Sequence, residues 1–166
     1  MYRCKSMGFS AYASAAVILL ALVAWPPVAG SEGLGCVAVT EADVENLFVA
    51  WNNALQTENP DRVVALYATD AILLPTVENG PYTDHAAIRR YFVDFLKKKP
   101  SGAIDRPHNI RIGCNVAFDA GLYTFTYGTG APATAARYTY VYKYEGGGWL
   151  IAQHHSSVRP EPKPKP

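Results

Sequence analysis

The residues most able to do chemistry lie near the C-terminus, in the run WLIAQHHSSVRP, which contains His154, His155, Ser156 and Ser157. Imidazole rings transfer protons near neutral pH and bind metals, and a serine hydroxyl beside a base can act as a nucleophile. Adjacent residues of a strand point to opposite faces, so the two histidines cannot bind one ion without a bulge. No nucleophile-elbow glycine pattern surrounds the serines. The run therefore predicts neither a metal site nor a serine hydrolase.

One histidine of the pair should face the interior of the protein. His155 has the same parity as Trp149, Ile151 and Gln153 along the predicted strand, which favours His155 as the inward residue. We predict that it lines a pocket, and the alternative is a structural histidine held by hydrogen bonds.

Neither a metal nor a nucleotide cofactor is expected. His85 and His108 lie at the start of a predicted helix and strand, and no cysteine or carboxylate completes a ligand set with them. The chain has no G-x-G-x-x-G motif, so it gives no support to an NAD- or flavin-dependent mechanism.

Arg137 lies in the strand-like run ARYTYVY. A buried guanidinium costs several kcal/mol, on the order of the penalty for other buried ions, unless an anion or carbonyl groups satisfy it. Arg137 is therefore predicted to hold a bound acid through two hydrogen bonds. The alternative is an internal salt bridge, for example to Glu78, Asp94 or Asp119.

Further candidates lie on a predicted helix and at a strand start. Arg89 and Arg90 are adjacent, so only one of them can face inward, and Tyr91 can offer its hydroxyl to the same pocket. Asp70 is a candidate proton carrier, a role for which burial would have to raise its pKa. The alternative for Asp70 is a cap at a helix-to-strand turn.

The spacing of apolar residues predicts the elements that position these side chains. Period 3.6 indicates helices at about 41–57, from about 59, and at about 84–98, whereas period two indicates strands at 71–75, 108–116, 120–127, 136–144 and 149–157. The predicted turns include Asp119-Ala-Gly121. Helices followed by a meander predict an α+β fold, with three N-terminal helices packed on an antiparallel sheet.

One predicted strand carries a ladder of tyrosines, namely Tyr138, Tyr140, Tyr142 and Tyr144, which share one face. That ladder is expected to be core. The opposite face would carry Arg137 and other sizeable side chains that three helices cannot also cover. We therefore predict that the surplus face forms a subunit interface.

The chain has 166 residues and begins with the features of a secretory signal peptide, residues 1–30. A lead at 31–40, one domain at 41–158 and a disordered Pro-rich tail at 159–166 would follow. Without Arg3 and Lys5 the 15 basic residues become 13, against 14 acidic ones, so the chain after cleavage would be nearly neutral. Neither nucleic acid nor an anionic membrane is therefore an expected partner. In an oxidising compartment Cys36 and Cys114 should form one disulfide.

Four segments carry a resemblance to a known family: WNNALQTENPDRVVALYATDAILLPT, IRRYFVDFL, ARYTYVY and WLIAQHHSSVRP. Together they resemble the association domain of calcium/calmodulin-dependent protein kinase II, and most of all its stand-alone bacterial relatives, which are described as oxidoreductases. The resemblance covers about residues 41–160. It implies the cone-shaped nuclear transport factor 2-like (SnoaL-like) fold with a strongly curved sheet.

The resemblance also implies a homo-oligomer, a dimer or a higher ring, and a cone pocket whose arginines accept a carboxylate. By position it matches Arg89, Arg137 and His155 to residues of that pocket. Ser156 stands where the family has another arginine, so a smaller polar ligand is expected at least as much as a carboxylate.

Three functions remain open at this stage. The first is an exported homo-oligomer that binds a small polar or anionic molecule through Arg137, His155, Arg89 and Tyr91. The second is a small enzyme of the isomerase, cyclase or oxidoreductase kind, with His155 or Asp70 as the proton carrier. The third is an oligomerisation scaffold without a ligand.

Overall fold

The computed structural model describes residues 35–160. The predicted signal peptide, residues 31–34 of the lead and residues 161–166 of the tail lie outside the described residues. Within the described range the elements follow the predicted order, with the helices before the long strands.

Three helices and one 3-10 turn come first: α1 at Glu41–Gln56, α2 at Pro60–Val64, α3 at His85–Phe95 and the turn at Leu96–Lys98. α1 begins at a capping box, in which the Thr40 side chain accepts from the backbone N–H of Asp43 and the Asp43 carboxylate accepts from that of Thr40. Asn59 and Asp84 cap the other two helices with side-chain oxygens. These caps satisfy N–H groups that have no partner inside the helix.

Five strands form one sheet: β1 at Tyr67–Leu74, β2 at Pro100–Gly113, β3 at Val116–Tyr127, β4 at Thr134–Glu145 and β5 at Gly148–Val158. Their order is β1-β5-β4-β3-β2. The strands β2 to β5 form the predicted antiparallel meander, whereas β1 joins the edge parallel to β5. The α+β prediction is confirmed, and the parallel edge strand makes the sheet mixed.

The turn between β2 and β3 is not where the sequence placed it. It lies at Cys114 and Asn115, and Asn115 adopts a φ of 56° there. Asparagine tolerates this left-handed conformation better than most residues. β3 therefore continues through Asp119 and Gly121, and it carries Asp119 into the core.

The predicted tyrosine ladder is core as far as Tyr142. Tyr138, Tyr140 and Tyr142 are buried, and α1 packs on the first two. The ring of Phe48 stacks on Tyr138 with centroids 6.4 Å apart, and Trp51 meets Tyr140 edge-on at 5.7 Å. The helices thus pack on this inner face of the sheet.

The alternate residues of the same strands form the opposite face, here called the outer face. Ile72, Phe118, Leu122, Arg137 and His155 are exposed on it. None of the three helices lies over these residues, so the sheet leaves large apolar side chains in contact with solvent.

A disulfide joins Cys36 of the lead to Cys114 in the β2–β3 turn, as predicted, across 78 residues. The same turn holds the lead a second time, because the side-chain oxygen of Asn115 accepts from the backbone N–H of Val37 at 2.8 Å. Cys36 and Val37 are therefore fixed to the end of the sheet.

Candidate functional site

His154, not His155, faces the interior. His154 is 3% exposed, whereas His155 is exposed on the outer face. The ring of His154 stacks on Tyr140 with centroids 4.1 Å apart, and Trp51 meets it edge-on at 5.2 Å. The prediction that His155 lines the pocket is wrong about its orientation.

A β-bulge explains the reversal. Val141 of β4 pairs with Gln153, but the next residue, Tyr142, pairs with Ile151. Ala152 is therefore an extra residue on β5, and it shifts the alternation of the strand by one position. Parity read from Ile151 consequently assigns the wrong histidine to the interior.

His154 is the centre of a chain of buried hydrogen bonds. Its Nδ1 lies 2.9 Å from the hydroxyl of Tyr67, and the Trp51 indole donates to that same hydroxyl at 3.1 Å. On the other side of the ring, Nε2 lies 3.5 Å from the hydroxyl of Tyr123.

The chain continues from Tyr123 to Thr76. The Tyr123 hydroxyl donates to Oγ of Ser156 at 2.5 Å. Ser156 in turn shares a hydrogen bond with the hydroxyl of Thr76. Pairing of this kind offsets the cost of burying a hydroxyl.

Donor and acceptor chemistry assigns the tautomer of His154. Indole can only donate, so the Tyr67 oxygen accepts from Trp51. Among the described residues Nδ1 of His154 is the one acceptor that the Tyr67 hydroxyl contacts, so Tyr67 gives its own hydrogen to Nδ1. The ring hydrogen then lies on Nε2. Burial, and secondarily the nearby His155, lowers the pKa of His154 to about 3, so the ring is neutral at ordinary pH.

A cavity of about 200 Å³ opens beside Thr76, between the C-terminal end of α3 and the connection from β3 to β4. This end of the sheet is here called the mouth of the cone. Four aromatic rings form much of its wall, those of Tyr91, Phe95, Phe125 and Tyr127. Tyr91 is 8% exposed, and burial raises its pKa, so its hydroxyl stays protonated and can donate. Lys98 is the one cationic residue among those that line the cavity.

The predicted anion-binding residues do not converge on this cavity. Arg137 is exposed on the outer face, opposite the tyrosine ladder. Arg89 is exposed and forms an ion pair with Asp61, with 2.6 Å between Nε and Oδ1, and Arg90 is exposed too. The prediction of an internal guanidinium clamp is therefore wrong, because strand parity directs Arg137 away from the core.

Among the described residues, the part of the interior around His154 contains polar groups but no positive charge. Within residues 35–160 the fully buried polar or charged side chains are those of Asp119, His154 and Ser156. Since His154 is neutral, a molecule entering the cavity would meet hydroxyls and aromatic rings, and Lys98 would be the one positive charge among the lining residues.

Asp70 does not provide an internal proton carrier. It lies exposed on β1, and its Oδ1 is 2.6 Å from Nζ of Lys143. The hydrogen bond from Lys143 lowers the pKa of Asp70, which is the opposite of what a proton carrier near neutral pH requires. Asp70 therefore serves as a partner of Lys143 in a surface ion pair.

Residues 35–160 contain no group of three or more His, Cys, Asp or Glu side chains that could hold a metal ion. His85, for instance, uses Nε2 to contact the backbone carbonyls of Tyr67 and Ala68 at 2.9 and 3.0 Å. In the same range, no helix is long and apolar enough to cross a membrane.

A curved, open sheet with helices on one face and a buried aromatic interior defines a cone-shaped domain of the nuclear transport factor 2-like class. The sequence model of one protein family, the calcium/calmodulin dependent protein kinase II association domain, matches residues 40–160. The chain belongs to that family, and the resemblance noted in its sequence is confirmed. None of the curated proteins matches the chain.

Solved structures agree with this assignment. A protein from Xanthomonas campestris, described as a candidate association domain of this kinase, is 44% identical, with 76% of this chain and 96% of that chain covered and a TM-score of 0.69. An NTF2-like protein of unknown function from Pseudomonas putida is 16% identical, with 78% and 100% covered and a TM-score of 0.65. A second candidate association domain, from Thiobacillus denitrificans, is 18% identical, with 75% and 98% covered and a TM-score of 0.56. The latter two show the fold alone.

Proposed function

We propose that this protein is an exported module that assembles with further copies of itself through the outer face of its sheet. The exposure of Phe118 and Leu122, 43% and 37%, on a face that no described helix covers carries this proposal. Large exposed apolar side chains in one patch mark an interaction surface. The description of its family as an association domain supports the same function.

The apolar residues of the outer face are in register across the sheet. Phe118 on β3 pairs with Val141 on β4, which pairs with Gln153 on β5, and Gln153 pairs with Ile72 on β1. This row crosses four strands and contains three apolar residues. It would form the apolar centre of an interface.

Polar residues lie beside that row. Leu122 pairs with Arg137, and Arg137 pairs with Ser157. His155 pairs with Thr139 in the row between. Arginine and aromatic residues are enriched in protein interfaces, and here Arg137 and His155 serve as interface residues rather than as pocket residues.

A second copy of the chain is the partner that suits this face best. β4 is the central strand of the five, so a two-fold axis near β4 brings each row against the same row of the other copy. Such an isologous contact needs no second kind of surface.

The mass of the purified protein in solution tests the proposal directly. Native mass spectrometry and light scattering are expected to give a dimer or a larger even-numbered assembly. A monomer at every concentration measured would overturn the proposal.

Export is supported by the predicted signal peptide and by the Cys36–Cys114 disulfide, since disulfides persist in oxidising compartments. Cell fractionation followed by mass measurement of the intact chain tests this part. Loss of the N-terminal residues and an extracytoplasmic location are expected, whereas a full-length reduced chain in the cytoplasm would contradict it.

The cavity at the mouth of the cone supports a second function, the binding of a small molecule. Four aromatic rings suit a flat apolar body, and the hydroxyls of Tyr91 and Thr76 suit one polar group on it. Lys98 at the same cavity could meet an acidic group of the ligand. We therefore propose a planar ligand with one polar or acidic end, small enough for about 200 Å³.

NMR titration with simple phenols and aromatic carboxylic acids tests this second function. Shifts should concentrate at Tyr91 and Lys98, and Tyr91→Phe should weaken them. Arg137→Ala is the matched control and should leave them unchanged, because Arg137 lies on the outer face. Shifts that map to Arg137 instead would reject the cavity as the site.

A further inference from the structure

His108 lies between two carboxylates where α1 meets the sheet. Its Nδ1 is 2.8 Å from Oδ1 of Asp119 on β3, and its Nε2 is 3.0 Å from Oε1 of Glu45 on α1. Arg106 donates to both oxygens of Glu45, at 3.0 and 2.9 Å. These four residues, here called the His108 cluster, connect α1 to β2 and β3.

Burial differs strongly between the two carboxylates. Asp119 is 0% exposed, and its Oδ1 also accepts from the hydroxyl of Tyr138 on β4 at 3.0 Å. The side chain of Glu45 is 34% exposed and lines an open cleft of about 510 Å³ together with Arg106 and His108. Asp119 thus depends on protein donors, whereas water can replace a donor lost by Glu45.

An irregularity in β2 places His108 in this position. Asp105 pairs with Leu122 and Asn109 pairs with Ala120, so residues 106–108 lie opposite the single residue Gly121. The close approach also requires glycine at 121, because a Cβ there would lie 2.9 Å from Cβ of His108.

The number of N–H donors on the His108 ring decides how the His108 cluster responds to pH. A charged imidazole has two N–H groups, one for each carboxylate, whereas a neutral imidazole has only one. Loss of the proton therefore deprives either Asp119 or Glu45 of a donor. The buried carboxylate of Asp119 keeps its donor, because the loss of that donor would cost more. The proton therefore leaves Nε2, the contact of His108 with Glu45 is lost, and Glu45 keeps only its bonds from Arg106.

We propose that the His108 cluster is a proton-operated clamp, which holds the first turns of α1 most tightly on the sheet while His108 is charged and loosens them as the pH rises, when the Arg106–Glu45 ion pair alone remains. The groups that contact His108 come from every element around it: Glu45 from α1, Arg106 from β2, Asp119 from β3 and Tyr138 from β4. Before deprotonation the two positive and two negative charges balance, and afterwards one negative charge is in excess.

The direction of the pH dependence follows from these contacts. Burial by itself lowers the pKa of His108, but the hydrogen bonds and charges of Asp119 and Glu45 outweigh it and raise that pKa above 6.5. A raised folded pKa gives a stabilisation that is complete below about pH 6.5 and is lost as the pH rises through the folded midpoint. Arg106 first and His108 second lower the pKa of Glu45 to about 2, so its carboxylate stays charged over this range.

NMR of the purified protein tests the clamp. The ring signals of His108 should titrate with a midpoint above 6.5, and the backbone amides of Val44–Phe48 should titrate with the same midpoint. Hydrogen exchange of those amides, corrected for the intrinsic rate, should rise about tenfold for each pH unit between 6.5 and that midpoint.

Two variants and one control make the result specific. His108→Gln should abolish the titration of the α1 amides, and Glu45→Gln, at a partly exposed position, should lower the midpoint of His108. His155→Gln replaces an exposed histidine and should change neither. A His108 midpoint at or below 6.5, or α1 amides that do not follow it, would overturn the proposal.

Discussion

The hydroxyl of Tyr67 and Nδ1 of His154 lie 2.9 Å apart in the middle of the core, and each gives the other its main polar contact there. Trp51 completes the arrangement by donating to the same hydroxyl. The cone therefore has a centre that is polar, hydrogen-bonded and neutral.

Removal of that hydroxyl should destabilise the fold. Tyr67→Phe leaves the Trp51 indole and Nδ1 of His154 without partners, which should lower the free energy of unfolding by about 1–3 kcal/mol. Urea denaturation measures the change. Tyr144→Phe is the control, because Tyr144 is half-buried at the end of β4, and an equal loss in both variants would contradict the importance of the buried network.

The neutrality of His154 predicts a specific acid dependence. The pKa of His154 is about 3 in the folded protein, below the pKa of 6.5 of a free histidine side chain. As the pH falls, the unfolded chain therefore binds the proton before the folded protein does. The free energy of unfolding should therefore fall by about 1.4 kcal/mol for each pH unit below 6.5, until the pH approaches the folded value.

Variants at the two adjacent histidines separate this effect from the titration of carboxylates. Denaturation at several pH values should show that His154→Gln loses this part of the slope and that His155→Gln keeps it. If both variants kept the full slope, His154 would not be the group responsible.

The outer face gives a prediction about assembly. Phe118→Asp places a charge in the apolar centre of the proposed interface, and Leu122→Asp places one on the same face, opposite Arg137. Each should shift the assembly to monomers while the circular dichroism spectrum stays the same. Light scattering measures the mass. Val49→Asp is the matched control, since Val49 is 48% exposed on α1 and lies away from the sheet, and dissociation by this control alone would move the interface to the helices.

Gly121 gives a prediction about packing. In Gly121→Ala the new methyl group would lie 2.9 Å from Cβ of His108 and 3.2 Å from the hydroxyl of Tyr138. The resulting overpacking should lower the free energy of unfolding by about 1–3 kcal/mol. Gly148→Ala has no atom within 4 Å of the added Cβ and should be close to neutral, so thermal denaturation of the two variants gives a direct comparison.

Local pattern was sufficient for most elements of this fold. The capping box at Thr40 and the period of the apolar residues located α1, and strict alternation located β4 with its buried tyrosines. These features depend on residues close together in the chain, so sequence shows them. The resemblance of four segments added the cone shape and the family.

The inward position of His154 could not be predicted from the alternation of side chains along β5, because a single extra residue reverses that alternation before the two histidines. The bulge at Ala152 exists only in the pairing of β4 with β5, which the sequence of β5 alone does not show. His154 therefore took the place assigned to His155.

Asp119 was missed for a different reason. Together with the nearby glycine it looks like a turn, yet it occupies an inward position of β3. Its partners, His108 and Tyr138, come from two other strands, and Glu45, which completes the cluster, comes from a helix more than 60 residues away from His108. Such a cluster becomes visible only when the sheet is assembled.

The bond between Cys36 and Cys114 closes a ring of chain that contains all three helices together with β1 and β2. A protease that cuts the exposed stretch from Val77 to Asn79 would open this ring without releasing a fragment. The nicked molecule would migrate as one band on a gel until a reducing agent was added, and then it would separate into two.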